Sequence, residues 1–113
     1  MFYLLEEYES ELLWSGDIFR VFIRDKSENY YIDQVVDFII FETMDTERSL
    51  GLLSISGYKA GKIEFIFPKE AFKKDSIYSL DKKWVEKNIY DYLYLNKESD
   101  KVFVSKNDSI LPF

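Results

Sequence analysis

The chain of 113 residues contains no cysteine and no histidine. Without cysteine, disulfides, thiolate nucleophiles and cysteine-based zinc sites are excluded, which favours an intracellular protein. The absence of histidine removes the commonest general base near neutral pH and the commonest transition-metal ligand. We therefore expect a protein that is not an enzyme and that needs neither a cofactor nor a metal ion.

Long apolar runs are also missing from the chain. The run from Val35 to Phe41 is interrupted by Asp37 and is far too short to span a bilayer. The first residues carry Glu6, Glu7 and Glu9 where a secretory signal would need a basic start and an uninterrupted apolar run. We therefore expect a cytoplasmic protein that is not inserted in a membrane.

The composition predicts a single folded domain over residues 1–113 with an acidic surface. Hydrophobic residues make up 47% of the chain and aromatic residues 19%, which is enough for an independent core at this length. The formal net charge of −6 disfavours binding to nucleic acid or to anionic lipid and favours a basic protein partner. A moderate negative charge can equally serve solubility alone.

Hydrophobic periodicity predicts several strands and two helices. Leu4 or Leu5, Tyr8 and Leu12 recur at helical spacing, which indicates a short helix between Phe2 and Trp14, with a strand as the alternative. The segment from Asp81 to Leu95 is typical of an amphipathic helix with Asp81 as its N-cap. Alternation or β-branched and aromatic content predicts strands over Ile18 to Arg24, Tyr30 to Glu42, Leu50 to Ser56, Lys62 to Phe67 and Val102 to Val104.

Alternation assigns faces to these strands. It predicts an apolar face formed by Phe19, Val21 and Ile23 in one strand and by the even positions from Tyr30 to Ile40 in the next. In the strand that follows Gly61, it directs Ile63, Phe65 and Phe67 one way and Lys62, Glu64 and Ile66 the other. Short polar turns between consecutive strands favour antiparallel pairing. The sequence therefore predicts an α+β fold: one curved antiparallel sheet of about five strands with one or two helices packed on it.

The segment Gly57 to Lys62 superficially resembles a phosphate-binding loop. Such a loop needs four residues between its glycines and a serine or threonine after the lysine. Here three residues separate Gly57 from Gly61, and Ile63 follows Lys62. A β-hairpin turn explains this segment better, so we do not predict a nucleotide site.

A candidate partner-binding surface lies on the sheet face predicted to be the more polar one. Apolar side chains on this face, among them Phe22 and Phe41, are mixed with Asp33, Asp37 and Glu64. An apolar centre with an acidic rim would complement a basic protein, unless the N-terminal helix covers it. Asp33 and Asp37 could also act as an acid and a base or hold a cation, although solvated strand carboxylates are the simpler reading. The full set of candidate partner-binding residues is Trp14, Asp17, Phe22, Asp33, Asp37, Phe41 and Glu64, with Trp14 equally compatible with a place in the core.

Several segments together resemble a bacterial immunity protein of polymorphic toxin systems, in particular the immunity protein 45 family. They are the run from Leu13 to Asp17 leading into Phe19 to Ile23, the run from Ile55 to Gly61, and the ending from Phe67 to Glu70. The resemblance implies a cytoplasmic protein that binds a cognate toxin domain and blocks it. We expect a monomer or a homodimer. An acidic secretion chaperone and a mimic of nucleic-acid charge are the alternatives, although interspersed Lys and Arg count against the mimic.

Overall fold

The computed structural model describes the backbone of residues 1–27 and 30–106, and the side chains of residues 1–24 and 34–106. The candidate Asp33 is therefore placed by its backbone alone, and residues 28–29 and 107–113 lie outside the described residues.

A six-stranded antiparallel sheet forms the centre of the protein. Its strands are β1 (Tyr3–Leu4), β3 (Ile18–Ser27), β4 (Tyr30–Glu42), β5 (Leu50–Ser54), β6 (Ile63–Ile66) and β8 (Lys101–Ser105), in the spatial order β1-β8-β3-β4-β5-β6. Strands β2 (Leu12–Trp14) and β7 (Ser79–Asp81) pair with each other in a separate two-stranded sheet. With the helix α1 (Lys82–Tyr92), this confirms the predicted α+β class and its antiparallel sheet.

The core lies between α1 and one face of the large sheet, which we call the helix face. Phe19 and Val21 of β3 are fully buried there, as predicted from alternation, and Val85 and Ile89 of α1 are buried against the same cluster. Removing such apolar side chains from water contributes about 1.5–3 kcal/mol each. Aromatic side chains tie the helix to the β6 edge, with ring centroids 5.1 Å apart for Phe65 and Tyr92 and 6.4 Å for Phe67 and Trp84.

Local capping fixes both ends of α1. The Asp81 carboxylate accepts a hydrogen bond from the Lys83 backbone N–H, which confirms Asp81 as the N-cap. The helix ends at Tyr92, earlier than predicted, because Tyr94 has a positive φ of 55° and Leu95 N–H donates back to the Tyr90 carbonyl. The helix is therefore only 11 residues long.

The predicted N-terminal helix is wrong. The segment from Phe2 to Trp14 instead contains β1, a single 3₁₀ turn at Leu5–Glu7 and β2. Leu5 and Tyr8 are buried as their spacing suggested, but one turn suffices to place them. The Ser10 hydroxyl then forms hydrogen bonds with the backbone C=O and N–H of Leu12, and these compete with helix formation at this point.

The hairpin between β5 and β6 is confirmed, and it contains an irregularity that the sequence did not show. Gly57 and Gly61 have φ of +76° and +90°, so both turn positions favour glycine. Leu52 pairs with Phe65 whereas Leu53 pairs with Ile63, which makes Glu64 the extra residue of a β-bulge. Ile63 and Phe65 therefore lie on opposite faces, and the prediction that they share one is wrong.

Candidate protein-binding surface

The second face of the large sheet, which we call the outer face, points away from α1. Cross-strand pairing places Phe22 of β3 beside Val35 of β4, and Arg20 beside Asp37. Phe22 and Val35 are 39% and 49% exposed, although Phe19 and Val21 in the same strand are fully buried on the helix face. The outer face includes Arg20, Phe22, Val35, Asp37, Ile39, Phe41, Leu53, Ile63, Ile66 and Phe103.

An ion pair lies at the centre of the outer face. Arg20 Nε donates to Asp37 Oδ1 at 2.9 Å, and a second guanidinium nitrogen donates to Oδ2 at 3.0 Å. The hydrogen bond to Asp37 is the main reason that the pKa of Arg20 is raised. The Arg20 guanidinium also lies 4.3 Å from the centroid of the Phe2 ring. Opposite charges thus cancel within an apolar surface, and the Asp37 carboxylate is held in place.

Aromatic packing shapes the rest of the outer face. The rings of Phe22 and Phe103 meet edge to face with centroids 5.3 Å apart. Phe41 packs over Gly51, where an added Cβ would come within 2.7 Å of the Phe41 ring and 2.8 Å of Ile66. Because Gly51 has no side chain, Phe41 and Ile66 can pack close to the sheet. The result is a fixed apolar surface with Phe22 and Val35 accessible to solvent.

The structure brings Phe22, Asp37 and Phe41 together on the outer face, but it separates the other sequence-predicted residues from them. Trp14 is 46% exposed at the end of β2, in the two-stranded sheet. Asp17 is 2% exposed and accepts a hydrogen bond from the Trp14 backbone N–H, so this carboxylate shapes the turn before β3. Asp33 is opposite Arg24 in the β3–β4 ladder, and its side chain lies outside the described residues.

Glu64 belongs to a different feature, a groove of about 450 Å³ on the helix face. The β-bulge releases Glu64 from the regular alternation on which its assignment to the outer face depended. The groove lies between the β5–β6 turn and the end of α1. Its apolar lining comes from Val21, Ile23, Val36, Phe38, Leu93 and Leu95, and polar groups of Gln34, Ser54, Ser56 and Glu64 also line it.

Sequence reasoning missed this groove, although a length mismatch could have indicated it. A helix of 11 residues is about 16 Å long, whereas the 13 residues of β4 extend for about 43 Å. The helix cannot cover the whole strand, so Val36 and Ile23 are left beside open space. The sequence assigned both residues to the apolar face but not to a cavity.

In the described residues, no group of three or more acidic side chains is placed to hold a metal ion. Within the same part of the chain, no helix is long and apolar enough to cross a membrane. The pKa of Asp45 is lowered by hydrogen bonds from the backbone N–H groups of Arg48 and Glu47 in an exposed loop. This is a turn motif.

The family model described as immunity protein 45 matches residues 5–104. The chain belongs to the immunity protein 45 family. The match includes β2 to β7, α1, all but the last residue of β8 and the named residues of the outer face, and it confirms the resemblance carried by the Leu13 to Asp17 and Ile55 to Gly61 segments. The comparisons with curated proteins and with solved structures gave no match. An immunity role in general follows from the family, and it implies a toxin as the binding partner.

Proposed function

We propose that this immunity protein neutralises a cognate bacterial toxin domain by covering it, and that the outer face supplies the contact. The observation that carries the proposal is the exposure of Phe22 and Val35, which lie side by side on the sheet face opposite α1. Aromatic side chains dominate the binding energy of many protein interfaces when a partner seals them from water. The mechanism needs no catalytic step, since a toxin whose active surface is covered cannot reach its substrate.

The Arg20–Asp37 pair suits such an interface. The two groups satisfy each other through two hydrogen bonds, so a partner can cover them without leaving an unpaired charge. Around them, the apolar side chains supply area that gains energy on burial. The outer face therefore consists of a central ion pair, whose two groups already have partners, and of apolar side chains around it.

Co-expression with the toxin domain encoded beside this gene tests the proposal. We expect wild-type protein to restore bacterial growth and to co-purify with the toxin, and Phe22→Glu to lose both effects, because a charge replaces the exposed aromatic ring. Ile77→Glu is the matched control, since Ile77 is 40% exposed in a loop outside the sheet and Phe22 is 39% exposed. Circular dichroism would show that both variants fold. Full rescue by folded Phe22→Glu would contradict a role for the outer face.

We further propose that the toxin domain is basic. The support is the net charge of −6, which attracts positively charged partners over long distances. Asp37 is already paired with Arg20, so the exposed carboxylates Glu7 and Glu9 are better positions for testing steering. Replacing both with lysine is expected to slow toxin association at low salt and to have a smaller effect at high salt. An equal rate for wild type and variant at both salt levels would contradict electrostatic steering.

The setting that we propose is the cytoplasm of a bacterium that carries a polymorphic toxin system, including systems of contact-dependent inhibition. There the protein would protect the producing cell and its kin from the toxin. We propose that it acts as a monomer or a homodimer, and sedimentation of the free protein and of the complex would give the stoichiometry.

A further inference from the structure

Strand β4 has an open backbone edge beyond Asp37. On this edge, Ile55 N–H donates to the Asp37 carbonyl at 2.9 Å, and Asp37 N–H donates to Ser56 Oγ at 2.8 Å. The ladder with β5 runs from Glu42 to Phe38 and stops there. Alternate residues of a strand direct their backbone groups to the same side, so the N–H and C=O of Val35 also point to this side. The described part of the chain places no strand beside them.

The groove on the helix face adjoins this open edge. Gln34 and Val36 flank Val35 in β4 and line the groove, which is closed on the far side by Leu93 and Leu95 after α1. The turn at Gly57 to Lys59 forms another wall, where Tyr58 is 93% exposed. An unpaired stretch of backbone and an apolar groove thus meet at three consecutive residues of one strand.

We propose that an extended segment of the toxin domain adds as a strand beside Val35 of β4 and inserts an apolar side chain into the groove. The inference rests on the proposed function and names its mode of binding. In strand addition, main-chain hydrogen bonds supply affinity, and pockets for alternate side chains supply specificity. Val35 offers the hydrogen bonds, and the groove offers the pocket.

The geometry favours an extended segment over a helical one. A helix satisfies its own backbone groups and would leave the Val35 N–H and C=O without a protein partner. A strand satisfies them, and its alternate side chains would reach both the groove and the outer face beside Val35. One added strand would therefore join the two exposed apolar surfaces into a continuous interface.

The charge at the groove adds a preference for the sequence of the segment. Glu64 lines the groove, and the last turn of α1 contains no basic residue to offset the negative end of its helix dipole. Lys59 lies at the turn, on the other wall. An apolar residue with a basic neighbour directed toward Glu64 fits this arrangement and agrees with the net charge of −6.

Residue-specific hydrogen exchange in the complex with the toxin domain tests the inference. Strand addition is expected to slow exchange of the Val35 amide by at least about tenfold, because it gains a hydrogen bond. Val36 is the internal control, since it pairs with Val21 and its amide already points to β3. A stable complex in which Val35 exchanges as fast as in the free protein would overturn strand addition. Failure of wild-type protein to bind the toxin at all would instead overturn the proposed function, and this inference with it.

Two variants give independent tests of affinity. Val35→Pro removes the N–H on the open side and leaves the β3 ladder intact, since proline is tolerated where a strand edge has no partner. Gln34→Trp fills the groove mouth from an exposed position, and Glu42→Trp, at the other end of β4, is its control. We expect Val35→Pro and Gln34→Trp to weaken toxin binding at least about tenfold, or 1.4 kcal/mol, and Glu42→Trp to leave it unchanged. If Val35→Pro does not fold, the affinity of Gln34→Trp alone tests the proposal. Unchanged affinity for the toxin in either variant, once shown to be folded, would overturn strand addition.

Discussion

The helix face and the outer face of the central sheet have similar side chains but different surroundings. Phe19 and Phe22 are three residues apart in β3; the first is fully buried and the second is 39% exposed. Strand alternation sends them to opposite faces, and α1 lies over the first of these. Hydrophobicity alone therefore does not separate the folding surface from the candidate binding surface. What separates them is whether another element of the chain covers them.

The largest predicted effect comes from breaking the contact between helix and sheet. Ile89 of α1 is fully buried, so Ile89→Ala is expected to reduce the free energy of unfolding by about 2–5 kcal/mol through lost burial and the cavity left behind. Ile63→Ala, at a residue that pairs with Leu53 and is 58% exposed, should change it by about 0.5 kcal/mol or less. Urea denaturation of both variants checks the difference. Similar losses would show that the outer face contributes to stability as much as the helix face does.

The second prediction concerns a buried carboxylate that secures the chain where it leaves α1 and returns to the sheet. Asp100 is 4% exposed and accepts hydrogen bonds from the backbone N–H groups of Arg24 at 2.9 Å and Asn96 at 2.8 Å. Asp100→Ala leaves these donors unsatisfied and should cost about 1–3 kcal/mol. Asp91→Ala, which removes an exposed carboxylate of α1, is the control for the change in charge. Equal melting temperatures for the two variants would contradict a structural role for Asp100.

The sequence predicted the face of each residue better than the position of each strand. Alternation correctly separated Phe19 and Val21 from Arg20 and Phe22, because a side-chain period of two is a local property of the strand. It failed at Glu64, because a β-bulge interrupts the period and depends on the pairing with β5. Faces are thus predictable wherever the pairing is regular.

Elsewhere, pairing between strands distant in sequence limited how much of the fold could be predicted. Strand β8, at the end of the described chain, lies between β1 and β3, and no local pattern specifies this insertion. The same pairing places Tyr3 and Leu4, at the start of the segment whose spacing favoured a helix, in an edge strand beside β8. The open edge at Val35 exists because the ladder between β4 and β5 ends at Phe38, so it too could not be predicted from the sequence. The candidate site could therefore be predicted in part, through Phe22, Asp37 and Phe41.

The third prediction concerns the N-cap of α1, the helix that covers the helix face of the sheet. It tests how much this cap contributes to stability. The Asp81 carboxylate accepts the Lys83 N–H at 3.0 Å, so Asp81→Ala is expected to cost about 1 kcal/mol. Asp81→Asn keeps a capping oxygen and should lose much less, which separates the cap from the charge. Thermal unfolding of the two variants checks the order, and an equal loss from both would contradict the capping role.

The smallest predicted effect on folding lies at the centre of the outer face. Arg20 and Asp37 are partly exposed and joined by two hydrogen bonds, and solvent screens such pairs, so their coupling should be weaker than the loss expected at Asp81. A double-mutant cycle with Arg20→Ala, Asp37→Ala and both together measures that coupling from denaturation curves. The same cycle measured on toxin affinity should give a larger value, because a covered pair is no longer screened by water and a single substitution leaves one charge buried without its partner. Equal coupling in folding and in binding would show that the toxin leaves this pair exposed, and the contact would then have to lie elsewhere on the molecule.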